Sequence, residues 1–350
     1  MSDYTLPQWH FLHGQPTATG LLRSQPEDFQ VDELLPFSAD GQGEHHLLQI
    51  RKREMTTHQL ARKLAEFAGV KAMDVSWAGL KDKFGVTTQW LSVRIPGKET
   101  PDWASLNDDT MQVLQALRHS KKLRVGALLG NAFTLTLRQV EGDDDLDNRL
   151  QQVRDTGVPN YFGEQRFGHG GRNVARAAEM FAGRRVKDRN KRSLYLSAAR
   201  SFLFNQLVSE RLQRHGLGLL PGDTLMMPAG GSFFKSEVDD ADLVDRLARG
   251  ELRLSAPMAG SGRYGDDEAD RFELSQLQRW PELLAGLEAA RMKQERRPLL
   301  LQPQGMSWQR EADTLVVKFV LPAGAYATSV LREILRYEDA QSIENQSVNG

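Results

Sequence analysis

The sequence has no cysteine, and it has no uninterrupted apolar run long enough to cross a bilayer. Without cysteine there are no disulfides, thiolate metal sites, iron–sulfur clusters or cysteine nucleophiles, and the composition fits a reducing compartment. The first residues also lack the charged segment and apolar segment of a secretory signal. We therefore expect a cytoplasmic protein without a membrane anchor.

The sequence also has no excess of charge of one sign, because 45 basic residues are balanced by 46 acidic residues and the net charge is −1. This balance argues against wholesale nonspecific binding to nucleic acid, but it does not exclude a local basic face. Taken singly, a basic run is typical of a solvated surface, whereas several in one chain predict a surface for an anionic partner. The basic runs lie at residues 51–53, 121–124, 184–192 and 296–297.

The length of 350 residues, with 40% hydrophobic and 26% charged residues, is typical of a soluble globular protein of about two domains. Hydrophobic periodicity predicts both strands and helices. Strands are expected at residues 29–34, 45–50, 89–95, 112–117, 132–140 and 313–322, and helices at 57–70, 143–156 and 274–296, the last interrupted at Pro281.

The segment around Asp82 is the strongest candidate for chemistry. An apolar run at 75–80 predicts a buried strand, and Gly79 and Gly85 bracket an exposed turn before the next strand. Lys81 and Lys83 flank Asp82 and are expected to favour its ionised form and to attract an anionic substrate. A fixed carboxylate of this kind suits a nucleophile, although a solvated hairpin tip explains the same residue types.

Other polar residues are given structural interpretations. Glu33 falls on the apolar side of its strand, and we expect it to lie at the strand end and to reach solvent. His45 and His46 are adjacent in a strand and point to opposite faces, so they do not predict a metal site. The acidic run Asp143–Asp145 suits the first turn of a helix, with a magnesium site as the alternative. No Gly-Lys-Ser/Thr phosphate loop occurs, and we expect no metal and no cofactor.

Several motifs together resemble those of one enzyme family. The run Ala-Gly-Leu-Lys-Asp-Lys at 78–83, followed by Val-Thr-Thr-Gln at 86–89, closely resembles the active-site motif of the TruD family of pseudouridine synthases. Further family motifs follow in family order over nearly the whole chain. They include Gly-Asn-Ala-Phe at 130–133, Asn-Tyr-Phe-Gly-Glu-Gln-Arg-Phe-Gly at 160–168, the segment 189–205, and Leu-Pro-Ala-Gly-Ala-Tyr-Ala-Thr at 321–328.

This resemblance implies an α+β fold. It implies a pseudouridine-synthase catalytic domain with a mixed, mostly antiparallel sheet flanked by helices, formed by residues 1–156 and 304–350. Residues 157–303 are expected to form an inserted α/β TRUD domain. The implied reaction is conversion of uridine to pseudouridine in tRNA, at position 13, without metal or cofactor. A monomer without an obligate protein partner is expected.

The resemblance also assigns residues. It implies that Asp82 is the nucleophile acting on a flipped-out uridine, and that Phe29, Asn131 and Tyr326 contact this uridine. A Phe is found at the position of Tyr326 in the family, so the ring is kept and a hydroxyl is gained. The candidate RNA-contacting residues are Lys81, Arg166, Arg189, Lys191 and Arg192.

Two other classes of function use the same features. A noncatalytic RNA-binding or tRNA-folding protein would use the basic runs and aromatic residues, and it predicts that Asp82 is dispensable. A metal-dependent nuclease or nucleotidyltransferase would use Asp143–Asp145, and it predicts dependence on magnesium.

Overall fold

A computed structural model describes residues 4–97, 99–142, 145–228, 232–236 and 241–341. The chain divides into two compact units. The sheet unit contains Pro16–Arg154, Pro303–Ala327 and the segment that begins at Ile334, and the helical unit contains the segment that ends at Gln15, Asp155–Gln302 and Thr328–Glu333. The assignment of catalysis to residues 1–156 and 304–350 stays a prediction.

Both units contain β-strands among the described residues. In chain order they are β1 (Thr19–Leu22), β2 (Phe29–Leu34), β3 (His45–Arg53), β4 (Val75–Trp77), β5 (Val86–Arg94), β6 (Met111–His119), β7 (Gly130–Glu141), β8 (Val158–Pro159), β9 (Thr224–Met226), β10 (Phe233–Lys235), β11 (Arg253–Met258), β12 (Glu295–Pro298), β13 (Leu300–Leu301), β14 (Gln304–Glu311), β15 (Thr314–Pro322) and β16 (Arg336–Asp339).

The α-helices of the described residues lie between these strands. They are α1 (Thr57–Phe67), α2 (Leu146–Thr156), α3 (Arg172–Phe181), α4 (Arg189–His215), α5 (Ala241–Ala248), α6 (Glu268–Leu277), α7 (Pro281–Ala289) and α8 (Ala327–Ile334). The predicted helix at 274–296 overlaps two shorter helices, α6 and α7, and its predicted end is wrong because residues 295–296 belong to β12. Pro281 occupies the first turn of α7, where its missing N–H group costs no hydrogen bond. No helix in the part of the chain that the structure describes is both long and apolar enough to span a membrane.

The sheet unit is built on one mixed sheet. Its main path has the order β14-β15-β7-β2-β5-β3-β6, while β1 joins β7 and β16, and β4 joins β5. The pairs β2–β5 and β1–β16 are parallel and the other pairs of this sheet are antiparallel. The predicted α+β class with a mixed, mostly antiparallel sheet is therefore confirmed.

Helix α1 packs against part of this sheet, and its first turn is held in a fixed position. Thr56 and Gln59 form a capping box at its N-terminus, and the apolar side chains of Leu60 and Leu64 face inwards. They pack in a buried cluster that contains Leu48 and other side chains of β3 and β5. Burial of each such side chain contributes about 1.5–3 kcal/mol. The start of α1 is consequently held firmly, next to the turn that carries Asp82.

The helical unit has a different organisation. The 27-residue helix α4 contributes a row of fully buried side chains, and aromatic rings pack around it, as for Phe202 with Trp9 and Trp280. A small antiparallel sheet with the order β10-β9-β11-β12 lies in the same unit.

Candidate active site

Asp82 lies in the turn between β4 and β5, and nearly half of its side chain (46%) is exposed. Its carboxylate faces Arg23, with 3.5 Å between Oδ2 of Asp82 and Nη2 of Arg23. The Arg23 side chain is held by Asp339, at 2.9 Å, and its guanidinium lies 4.1 Å from the centre of the Phe29 ring. Arg23 therefore joins the carboxylate to the aromatic side chain of Phe29, which is buried.

The backbone of Arg23 is also unusual. Its φ is 60°, in the left-handed region that non-glycine residues rarely adopt. A strained residue of this kind persists only where its surroundings fix it, and such residues are frequent at functional sites. Nothing in the sequence around Arg23 signalled this role.

Lys52 anchors the main chain of Asp82 by a hydrogen bond. The Lys52 ammonium donates to the carbonyl oxygen of Asp82, at 3.0 Å, and to the carbonyl oxygen of Met55. Lys52 is almost fully buried, and this burial lowers its pKa to about 8, although the nearby Asp82 carboxylate opposes the shift. A basic run is typical of a solvated surface, and Lys52 departs from this pattern. Strand β3 continues past the predicted end at residue 50 and directs Lys52 to the same side as Leu48 and Ile50.

The residue before Asp82 is anchored as well. Lys81 Nζ donates to Oε1 of Glu33 at 2.5 Å, and the N–H group of Trp90 donates to Oε2 at 2.7 Å. The expectation that Glu33 reaches solvent is wrong, because it is only 2% exposed. Burial raises the pKa of Glu33 above its ordinary value, and Lys81 and the Trp90 N–H group oppose this rise.

The Glu33 contact also changes the interpretation of Lys81. Its side chain is only 8% exposed and is directed to Glu33, so its charge does not face an incoming anion. The expected role beside Asp82 is instead occupied by Arg23.

A chain of polar contacts links the same turn to α1. The N–H group of Lys81 donates to Oγ1 of Thr57 at 3.0 Å, and this hydroxyl donates to Oε1 of Gln89 at 3.0 Å. Thr57 is the first residue of α1, and Gln89 is on β5. The turn is thus fixed at two successive residues, while the carboxylate of Asp82 stays accessible.

Phe29 is held close to the end of the Asp82 turn. Gly85 has a φ of 144°, and a Cβ atom there would lie 2.6 Å from the carbonyl oxygen of Phe29. Only glycine permits this approach. The Phe29 ring packs edge-on against Phe133, with 6.4 Å between ring centres.

Asn131 lies at one end of the β7–β15 pair, and Tyr326 is in the segment that follows the same end of β15. Asn131 lies opposite both Glu33 on β2 and Leu321 on β15, and Tyr326 follows the end of β15. The side-chain oxygen of Asn131 is buried and has no hydrogen-bond partner among the described residues. A buried acceptor without a partner is costly, and an N–H group of a bound base could satisfy it.

The remaining candidate RNA-contacting residues are on the helical unit. Arg166 is half-buried, donates to the hydroxyl of Ser197 at 3.1 Å, and lies near the Phe162 ring. Arg189, Lys191 and Arg192 are exposed in the first turn of α4, which Asp188 caps through two backbone N–H groups.

The acidic run considered for magnesium is only partly visible, because Asp143 and Asp144 lie outside the described residues. In the residues that are described, no group of three His, Asp or Glu side chains could hold a metal ion.

Comparisons with known proteins decide the family. The family model for tRNA pseudouridine synthase D (TruD) matches residues 7–178 and 182–334. The chain belongs to the TruD family. It is 50% identical over 343 residues to a tRNA pseudouridine synthase D of Shewanella oneidensis, covering 98% of this chain and 93% of the relative. It is also 50% identical over 346 residues to one of Aeromonas hydrophila, covering 98% of both.

The fold of the TruD family is seen in a crystal structure from Methanosarcina mazei that is described as a tRNA pseudouridine synthase D. That structure has a TM-score of 0.70 and 21% identity, and the match covers 95% of this chain and 96% of the other. The family resemblance read from the motifs is thus confirmed. Sequence reasoning missed Arg23, Lys52 and the buried position of Glu33, all of which contact the Asp82 turn.

Proposed function

We propose that this TruD-family protein converts uridine to pseudouridine in tRNA, at position 13, with Asp82 as the nucleophile. The observation that carries the proposal is the construction of the Asp82 turn. Buried charges and hydrogen bonds fix its main chain through Lys52, Lys81 and Thr57, while the carboxylate remains exposed beside Arg23. A preorganised and accessible carboxylate is what nucleophilic catalysis requires.

The reaction breaks the glycosidic bond between C1′ of the ribose and N1 of uracil and forms a bond between C1′ and C5. A carboxylate can form a covalent bond to the sugar or to the base and leave again at the end, so no atom is gained or lost. The proton on C5 is removed by a general base, and N1 takes up a proton. The isomerisation needs no oxidant, reductant or external energy source.

The target base has to leave its stack to reach Asp82. We propose that Phe29 and Tyr326 contact this base, since aromatic rings are what proteins usually use to bind an unpaired RNA base. Asn131 supplies the edge contact: its buried oxygen can accept the N3–H group of uracil, and its amide can donate to a carbonyl of the base.

Arg23 completes this arrangement as a positioning residue. Its guanidinium offsets the negative charge of the Asp82 carboxylate, which would otherwise repel an approaching RNA phosphate. It also fixes the direction of that carboxylate. Because it also lies on the Phe29 ring, it couples the position of the nucleophile to the position of the stacking surface.

Binding of the rest of the tRNA is assigned to exposed cations. Arg189, Lys191 and Arg192 lie where the positive end of the α4 dipole disfavours cations, so their clustering there is better explained by an anionic ligand than by helix stability. Arg166 stays a candidate for RNA contact. A cytoplasmic monomer without an obligate protein partner stays a prediction.

The test is pseudouridine mapping on a tRNA transcript with uridine at position 13, without added metal or cofactor. We expect modification at this one uridine by the wild-type protein and at least a thousandfold loss in Asp82→Asn, on the order of what removal of a nucleophile costs. Asp109→Asn is the matched control, because Asp109 is an exposed carboxylate in the loop before β6.

Several results would contradict this proposal. Equal activity of Asp82→Asn and Asp109→Asn would remove Asp82 from the mechanism. Modification of a transcript that carries cytidine at position 13 would overturn the position, and binding of tRNA without any modification would favour a noncatalytic RNA-binding protein.

A further inference from the structure

A second concave site lies in the sheet unit, outside the residues assigned to catalysis. It is a cavity of about 730 Å³, which is within the range that small-molecule and nucleotide ligands occupy. One wall consists of Phe37 stacked on His119, with 5.1 Å between ring centres and 16° between ring planes. A second part of the wall is the segment that follows β6, including Lys121, Lys122 and Arg124.

The side chains of this second wall give the cavity a positive rim. Lys121, Lys122 and Arg124 are exposed. Lys122 donates to the carbonyl oxygen of Met73 at 2.8 Å, and this neutral acceptor fixes the position of the ammonium without neutralising its charge. These residues form one of the basic runs of the sequence, and catalysis as described above does not use them.

Asp40, an acidic residue in the cavity lining, already accepts hydrogen bonds from groups of the protein. Asp40 accepts hydrogen bonds from the hydroxyl and N–H groups of Ser120 and from the N–H group of Gln42. These bonds, led by that of the Ser120 hydroxyl, lower the pKa of Asp40 to about 2. The carboxylate thus serves to tie the loop after β2 to the end of β6, and the unsatisfied charge of the rim is positive.

Apolar surface accompanies the positive charge. Val125 follows Arg124 in the chain and is 81% exposed, and Met73, whose carbonyl oxygen accepts from Lys122, is 74% exposed. An exposed group of apolar side chains beside cations is suited to a ligand that has both a flat apolar ring and an anionic group. A nucleotide has both.

The cavity is connected directly to the candidate active site. Its lining residues Phe37, Leu123 and Ala127 belong to one apolar cluster with Ala78 and Trp90. The N–H group of Gly126 donates to the carbonyl oxygen of Ala78 at 2.8 Å, four residues before Asp82. The same wall continues along the chain to Asn131.

From these observations we infer that the cavity is an accessory nucleotide-binding site, which holds the phosphate and base of a nucleotide near the target uridine in the bound tRNA. The inference rests on the proposed function for the identity of the RNA. It adds a second point of attachment beside the reacting base, with Lys121 and Arg124 contacting phosphate and the apolar rim contacting the base.

The test measures equilibrium binding of a tRNA transcript to the full-length protein over a range of salt concentrations. We expect Lys121→Glu/Arg124→Glu to weaken binding at least tenfold at moderate salt. The slope of log affinity against log salt should fall by about 0.7 to 0.9 for each phosphate contact that is lost. The control Arg62→Glu/Lys318→Glu makes the same change in net charge at exposed positions outside the cavity, and we expect it to change the slope little.

Two further variants keep the test decisive. The neutral variant Lys121→Gln/Arg124→Gln removes the contacts without introducing repulsion and should show the same loss of slope. The variant Lys121→Arg/Arg124→Lys keeps both positive charges and should keep the wild-type slope. In turnover measurements the pocket variants should raise KM and leave the single-turnover rate at saturating tRNA within about threefold of wild type, since uniform binding is what they lose.

Failure of this inference and failure of the proposed function are distinguishable. If the wild type forms pseudouridine but the pocket variants bind tRNA with the affinity and slope of the control pair, the accessory site is overturned and the enzyme assignment stands. If the wild type binds tRNA without modifying it, while the pocket variants still lose affinity and slope, the accessory site stands and the proposed reaction falls.

Discussion

The charged residues around Asp82 and those at the start of α4 differ in their exposure to solvent. Around Asp82, Glu33 and Lys52 are buried and fully engaged with partners in the protein. At the start of α4, Arg189 and Arg192 are exposed to solvent. Buried pairs are sensitive to the loss of one partner, whereas exposed charges contribute little to folding. In the proposed function, the first group fixes the geometry of catalysis and the second group attracts the RNA.

The largest expected effect comes from breaking the buried ion pair. Glu33→Gln leaves Lys81 buried without its counter-charge, and we expect the free energy of unfolding to fall by about 3–5 kcal/mol. Pseudouridine formation should fall at least a hundredfold, because displacement of the Asp82 turn by about 1 Å is enough for such a loss. Urea denaturation and single-turnover rates measure the two effects.

The control for this variant is Glu27→Gln, the same substitution in an exposed pair with Arg53. It should change the free energy of unfolding by less than about 1 kcal/mol. If both variants unfolded at the same urea concentration, the buried pair would have no special role and the comparison would fail.

A smaller loss is expected at Arg23. In Arg23→Met the guanidinium that faces Asp82 is absent, and we expect kcat to fall about ten- to a hundredfold with little change in KM, since a directed charge contact near the reacting centre is lost. Arg23→Lys should recover part of this loss. Steady-state kinetics on the tRNA transcript measures the split.

The matched variant Asp339→Asn removes the other partner of Arg23 and leaves the guanidinium in place. A purely structural role for Arg23 predicts that Asp339→Asn and Arg23→Met have similar kcat values. A positioning role predicts that only Arg23→Met loses most of its kcat.

Lys52 allows the comparison to be tested by pH. Its folded pKa, about 8, is below the ordinary value of 10.5, so between these pH values the unfolded chain binds more protons than the folded protein. The penalty of the buried charge is present below pH 8 and is lost as pH rises to about 10.5. Relative to Lys52→Met, the wild-type free energy of unfolding should therefore rise over this range, by roughly 3 kcal/mol.

The outcome that contradicts this prediction is a flat profile. If the difference in unfolding free energy between wild type and Lys52→Met stayed constant from pH 8 to pH 10.5, the Lys52 charge would carry no burial penalty.

The sequence predicted the sheet unit well, for physical reasons that are local. Alternating apolar residues gave β2, β3 and β7 to within a few residues, and glycines marked the Asp82 turn. The contacts of the turn were not predictable in this way. Arg23 and Glu33 reach it from β2 and the loop before it, and Lys52 reaches it from β3. Pairing between residues so far apart in the chain depends on strand order and register, which a local pattern does not specify.

The smallest expected effect is also the one in which folding and binding change in opposite directions. In Arg189→Gln/Arg192→Gln two cations are removed from the positive end of the α4 dipole, so the helix should be stabilised by a few tenths of a kcal/mol or more. Binding of tRNA should weaken about three- to tenfold with unchanged kcat, and its salt dependence should become shallower. Arg214→Gln, in the last turn of α4 beside Glu210, is the control with the opposite helix effect: it should destabilise the protein slightly and leave tRNA binding unchanged. If the double variant gained stability and kept its tRNA affinity, the exposed charges at the start of α4 would have no role in binding, and only the buried group would carry a function.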